Sequence, residues 1–350
     1  MARPRTSPEL IGDVVGEILL RILPDESAYL ARASRVCKLW RRILSDPDFT
    51  RRYHAFHRTP PLLGFLNDYS SRFFPTMAAC PFPQSAFDCT LDDRRRLWAV
   101  DCRHGRVLLR HNAARNLVVW DPITGGREEL PEPRVALAHT SLRYSAFMVL
   151  CAAAGCDHRN CLQGGPFLVV LVRSDGSSVH GSVYSSKARA WGTPVSVNIG
   201  NGGYYDFCDS AKRGALVGDN SYFTLRKRVL GAHNEHYAKI LKDAFVMPME
   251  DGSLGFAGIR DSSLYMWRWT VKRWGVVRWE SSRVIDLEKL LPGNIFCNNA
   301  EVVGFAEGVG VAFSEQVRKV NKFQLFKTVL PFMSFYTPDI WFNGKKRYLL

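Results

Sequence analysis

Four side chains close together in the chain, Cys151, Cys156, His158 and Cys161, are of the types that hold zinc through thiolate and imidazole. Their gaps do not match the paired-cysteine knuckles of structural zinc sites, so the spacing predicts unligated thiols in a loop and no metal. His233 and His236, in His233-Asn234-Glu235-His236, would share one face of a helix and could hold a metal there. No third ligand or helix signal accompanies them, and they read as surface-loop histidines. The glycine runs Gly200-Asn201-Gly202-Gly203 and Gly308-Val309-Gly310 lack the Lys-Ser/Thr step or the following helix that a phosphate cradle needs, and predict turns. No serine or cysteine stands in a nucleophile elbow and no carboxylates are paired. Neither catalysis nor a cofactor is therefore expected of this chain.

The elements that would position any site divide the chain in two. With 350 residues, 46% of them hydrophobic, it can bury a substantial core, and its length suits two domains. The net charge of +14 permits acidic partners without choosing among them, and it is dispersed, with residues 1–58 carrying +4. The densest basic groups, Arg94-Arg95-Arg96 and Lys345-Lys346-Arg347, are short. Zinc-finger, RRM and KH signatures are absent, which argues against nucleic-acid binding; basic loops could instead select an acidic target protein. The longest nearly apolar stretch, Tyr144 to Cys156, falls short of the roughly 20 residues that cross a bilayer. Asp13 and Glu17 interrupt the apolar positions that follow Arg3 and Arg5, unlike a secretory signal core. The nine cysteines, odd in number and scattered, fit thiols in a reducing cell interior, cytosol or nucleus, better than a disulfide framework.

Up to about residue 58 the apolar pattern is helical. Val14, Val15, Ile18, Leu19 and Ile22 predict one amphipathic segment, ended by Pro24. Asp25 is a suitable N-cap for a second stripe, Leu30, Ala33, Cys37, Trp40 and Leu44, which ends before Asp46-Pro47. Arg32, Arg35, Lys38, Arg41 and Arg42 lie mostly off that stripe and predict a solvated face. Three short helices bury little area by themselves, so either a partner or the rest of the chain must cover them.

The run Glu17-Ile18-Leu19-Leu20-Arg21-Ile22-Leu23-Pro24, the run from Leu30 through Trp40 to Leu44, and Ser45-Asp46-Pro47-Asp48-Phe49 together resemble an F-box in order and spacing. The resemblance implies a helical module that docks on the Skp-family linker subunit of a cullin-RING (SCF) ubiquitin ligase while the rest of the chain recruits a substrate. Carried over by position, it implies Leu10, Ile18, Leu19, Leu23, Pro24, Val36, Cys37 and Trp40 as linker-facing, with Trp40 the leading anchor or an internal core residue, or both. The family usually opens with Leu-Pro. Here Leu10-Ile11 stands instead, which removes that proline contact and lowers the expected affinity.

From residue 59 the pattern turns to strands. Leu97 to Val100, Gly105 to Leu109 and Leu117 to Trp120 are short apolar or alternating runs separated by turn residues. Aromatic-rich strands beside polar turns recur at Val183 to Trp191, Leu264 to Trp274 and Phe323 to Phe326. Repeated hairpins predict radial repetition, a β-propeller, with a β-sandwich pair as the alternative. Asp101 to Leu109, the Trp120-Asp121-Pro122 turn, Val302 to Gly308 and Phe332 to Pro338 resemble the kelch-like propeller of plant-type F-box proteins. The expectation is an α+β chain, residues 1–58 a helical F-box and 59–350 an antiparallel all-β recruiting domain. It would act as a non-catalytic ligase adaptor or, alternatively, as a scaffold working without a cullin. The substrate and its binding residues are not legible.

Overall fold

The computed structural model describes residues 12–67, 73–76, 97–111, 116–123, 125–133, 145–154, 156, 161, 165–200, 204–206, 213–228, 245–260, 262–272, 276–289, 300–306, 311–316 and 329–335. Four helices come first: α1 (Gly12–Leu20), α2 (Ser27–Ala33), α3 (Lys38–Leu44) and α4 (Pro47–His57). None of the described helices is long and apolar enough to cross a membrane.

The apolar stripe from Leu30 to Leu44 is two helices rather than one. Ser34 Oγ donates to the Ala31 carbonyl at 2.7 Å, closing α2 on itself. Cys37 is then fully extended, with φ −156° and ψ 171°, and serves as the N-cap of α3. Asp25 is not a cap either, because Pro24–Glu26 form a tight 3-10 turn and α2 starts after Glu26. Asp46 does cap a helix: its carboxylate accepts from the Asp48 amide at 2.9 Å, with Pro47 in the first turn of α4, where no N–H is missed.

All other described elements are strands. β1 (Leu62–Asn67) and β2 (Phe73–Pro75) are followed by a four-stranded meander, β3 (Leu97–Arg103), β4 (Arg106–His111), β5 (Leu117–Trp120) and β6 (Arg127–Leu130). A five-stranded sheet holds β7 (Ser145–Cys151), β8 (Phe167–Ser174), β9 (Ser178–Ser185), β10 (Ala190–Trp191) and β11 (Val195–Asn198). Two ribbons come next, β12 (Tyr204–Asp206) with β15 (Arg226–Arg228) and β13 (Ala215–Val217) with β14 (Asn220–Tyr222). A second meander, β16 (Phe245–Pro248), β17 (Leu254–Arg260), β18 (Ser263–Val271) and β19 (Val277–Asp286), leads to the ribbon β20 (Ala300–Ala306) and β21 (Val311–Gln316). The last strand, β22 (Val329–Met333), pairs antiparallel with β1, so the final strand shares a sheet with the first.

These sheets form a β-propeller with four principal blades of three or more strands, the two-stranded ribbons completing the ring. β22 lies beside β3, β3 beside β7, β8 beside β12, β13 beside β16, β17 beside β20 and β20 beside β22, which returns to the starting blade. Alternation explains why each blade needs neighbours on both sides. In the first meander Ala99, Val107, Leu109, Val118 and Trp120 enter one core with Leu63, Leu66 and Phe332, while Val100, Leu108, Leu117 and Val119 enter another with Phe147, Val149 and Val169. A sheet buried on both faces between two other sheets is a propeller blade, and the sandwich alternative fails on this point.

A buried ion cluster ties the middle of the ring. Asp101, fully buried in β3, faces Arg103 at 3.3 Å and Arg213 at 3.2 Å and accepts from the Val149 amide at 2.8 Å. Arg213 also donates to the carbonyls of Cys102 at 2.5 Å and Phe305 at 3.3 Å, and Arg103 donates to that of Gly214. One carboxylate and two guanidinium groups therefore link four parts of the ring, β3, β7, the approach to β13, and β20.

Candidate functional site

The helical module builds its core from half of its apolar residues, with Phe335 from beyond the last strand as a further wall, and leaves the others outside. Val15, Leu19 and Leu20 of α1 pack with Leu30, Ala33, Leu44, Phe49 and Tyr53, with Ile22, Trp40 and Ile43 against the edge. α1 and α3 run side by side, since side chains of α3 lie within reach of α1 glycines: Leu39 at 3.8 Å from a Cβ position on Gly12 and Ile43 at 3.9 Å from one on Gly16. Tyr53 anchors α4 by donating its hydroxyl to the Ile22 carbonyl at 2.8 Å, and burial together with the Asp25 charge holds that phenol well above its ordinary range.

On the outside of α1, Val14 and Ile18 stand one turn apart and half exposed. Leu23, Val36 and Leu39 are exposed as well, Val36 most of all at 63%. A helix that is apolar on both faces while only one face meets its own core leaves a surface suited to another molecule. Arg35, Lys38, Arg41 and Arg42 are all exposed around it, so the surroundings are cationic, as expected, and complement an acidic partner.

The positions expected to face a linker subunit divide accordingly. Ile18, Leu23, Val36 and Cys37 are exposed, Pro24 is half-buried, and Leu10 lies outside the described residues, as does Ile11. Trp40 is half-buried against the helical core, so it serves the interior and the surface together. Leu19 is a correction: at 1% exposure it points inward between α3 and α4 and has no surface to offer. Val14 and Leu39 were missed. The signal for Val14 is the density of the apolar run Val14-Val15 and Ile18-Leu19-Leu20, which exceeds what one stripe needs.

Residues 17–55 match the F-box-like family model. The helical module is an F-box-like domain. No curated protein and no solved structure matches the chain. F-box domains in general bind Skp-type linkers of cullin-RING ligases.

Among the described residues of the propeller, the β18–β19 hairpin carries a cluster of exposed aromatic and aliphatic side chains. Trp269 and Trp279 meet edge to face at 4.7 Å, Phe256 and Trp267 stack at 4.4 Å behind them, and Val271 and Val284 stand exposed beside them.

Of the chemistry-bearing groups singled out above, Cys151, Cys156 and Cys161 are brought together, their sulfur atoms all within 4.8 Å of one another. Spacing alone suggests loose thiols, and the fold gathers them instead. The hydrogen bond from Cys161, with those from the Ala153 amide and Cys156 and the Arg106 charge, pulls the Cys151 thiol down to about 5, while the same Cys151–Cys161 bond and then burial push Cys161 up. His158, His233, His236, Arg94 to Arg96, Lys345 to Arg347, Asn201 to Gly203, Gly308 to Gly310 and Phe323 to Phe326 lie outside the described residues.

Proposed function

We propose that the chain is a non-catalytic substrate-recognition adaptor of a cullin-RING (SCF) ubiquitin ligase, working in the cell interior. In this reading residues 1–58 dock on the Skp-family linker and residues 59–350 capture a target protein. The observation that carries it is the set Val14, Ile18, Leu23, Val36 and Leu39, left exposed around an F-box-like core that is complete without them. Pro24, Cys37 and Trp40 border that surface, and the resemblance adds Leu10, which lies outside the described residues. A few buried aliphatic and aromatic anchors supply most of the binding energy of such helix-in-groove contacts. The ligase then works by proximity, holding the target beside a ubiquitin-charged conjugating enzyme, and this chain supplies geometry rather than a reacting group. The Trp120-Asp121-Pro122 turn and the alternating double-faced blade support a kelch-like propeller of the plant-type F-box kind, and Trp269 and Trp279 give its rim an aromatic surface for a target.

The test is co-expression of the chain with a Skp-family linker and size-exclusion chromatography, beside an Ile18→Asp, Val36→Asp variant. A one-to-one complex that is lost in a variant with unchanged thermal unfolding is the expected result. Folded wild-type protein that joins none of several linker paralogues overturns the adaptor reading, and a linker complex that excludes the cullin makes the chain a scaffold.

A further inference from the structure

Two connections from adjacent blades converge on one point. Cys151 is the last residue of β7, and Cys156 and Cys161 lie in the connection to β8. The Cys156 and Cys161 sulfurs are 3.3 Å apart. From the neighbouring blade, His104 at the β3–β4 turn brings Nδ1 to 2.9 Å from Cys161 Sγ. His104 and Gly105 both have positive φ, 54° and 72°, the conformation of a two-residue hairpin turn that glycine and asparagine occupy most readily. Histidine is among the non-glycine residues that accept positive φ most readily, and at this turn the side chain of His104 is aimed at the thiols.

A tetrahedral zinc ion, with Zn–S near 2.3 Å and Zn–N near 2.0–2.1 Å, sets neighbouring ligand atoms about 3.6–3.8 Å apart. The Cys156–Cys161 separation of 3.3 Å is close to that value, the three sulfurs all lie within 4.8 Å of one another, and His104 Nδ1 meets the group at its Cys161 edge, 2.9 Å from that sulfur.

We propose that Cys151, Cys156, Cys161 and His104 form a structural Cys3His zinc site that fastens the β7–β8 connection to the β3–β4 turn of the next blade. On binding, the thiols release their protons to solvent and ligate as thiolates, while His104 ligates as neutral imidazole through Nδ1. Zinc with three thiolates carries one net negative charge, and Arg106 is placed to offset it: it lies over the Phe167 ring at 5.4 Å, donates to the Gly165 carbonyl and acts electrostatically on Cys151. Four protein ligands fill the coordination sphere, so the site is structural rather than catalytic. The connection it closes, 152–166, contains no strand or helix among its described residues, and a metal clip repays the entropy of closing so long a loop. A knuckle pattern is not required, because the fourth ligand comes from another blade.

The test is metal analysis of the full-length chain purified without chelator, followed by cobalt replacement under reducing conditions. The expected result is one zinc per chain, lost in Cys161→Ser and in His104→Ala and kept in His158→Ala and Cys37→Ser. Cobalt-loaded wild-type protein should show thiolate-to-metal charge transfer and the strong visible bands of a tetrahedral site. The cobalt spectrum decides even where a variant fails to fold. Folded, reduced wild-type protein that retains neither metal overturns the proposal. So does a Cys156–Cys161 disulfide found by thiol mass-tagging in protein taken from a reducing cytosol, and zinc kept by His104→Ala but lost in His158→Ala overturns the ligand set.

Discussion

The imidazole of His54 stacks on the ring of Phe335, their centroids 4.2 Å apart and their planes 18° from parallel. His54 belongs to α4 of the F-box-like domain, and Phe335 follows the last propeller strand. Phe335 also meets Tyr53 edge to face at 6.2 Å and is part of the helical core. The two modules are joined through an aromatic contact as well as through the short segment between α4 and β1.

Phe335→Ala removes a buried aromatic side chain that the helical core cannot replace, at an expected cost of about 3–5 kcal/mol. The loss should fall on the helices. Hydrogen exchange would show α4 amides deprotected while β4 and β5 keep their protection, and unchanged α4 protection would refute the role given to this ring.

Acid should loosen the same junction. Burial lowers the His54 pKa to about 4, so the folded protein holds this ring neutral where an unfolded chain protonates it near 6.5. Stability from this group is complete above pH 6.5 and declines as pH falls from there to about 4, by on the order of 3 kcal/mol in all. Urea midpoints measured across that range check it, and His54→Phe should flatten the part of the slope that belongs to this residue.

How far the sequence speaks for itself differs between the parts of this molecule. Short-range patterns were readable: the end of the second apolar stripe before Asp46-Pro47, the strands at Leu97, Gly105 and Leu117, and the succession of hairpins all depend on residues near one another in the chain. Inside the F-box-like domain the side assignment was not readable, because Ile18 and Leu19 are both apolar and only the packing of α3 and α4 decides which turns inward. The break between α2 and α3 was hidden for a related reason, since the apolar steps continue through Ser34 to Cys37 while the backbone does not. His104 and Arg213 carried no local signal at all. Each acts on groups that the ring closure brings to it from distant parts of the chain.

Ile18 and Leu19 should therefore respond in opposite ways to the same change. Leu19→Ala opens a cavity in the helical core and is expected to cost about 2–5 kcal/mol in unfolding free energy. Ile18→Ala should leave the melting temperature in place and weaken linker binding, as calorimetric titration with the purified linker would show. Equal effects on stability would contradict the orientation of α1.

The buried carboxylate in β3 makes a sharper prediction. Asp101→Ala leaves Arg103 and Arg213 buried without their counter-charge, a change expected to cost about 3–5 kcal/mol. Asp251, paired with Arg268 at the surface, is the control, and Asp251→Ala should not move the thermal midpoint. Similar melting curves for the two variants would remove the ion cluster from its place at the centre of the ring.

The pairing of β1 with β22 also imposes an order in time. During synthesis the F-box-like helices emerge before the propeller, yet the ring of Phe335 that completes their core follows the last described strand. Until the final strand leaves the ribosome, the helices lack one wall and the propeller has an open seam. A polypeptide stopped anywhere upstream of residue 329 is left with both defects at once. Finishing the propeller and finishing the helical module are thus a single event, and a prematurely terminated chain cannot present well-formed helices without its propeller.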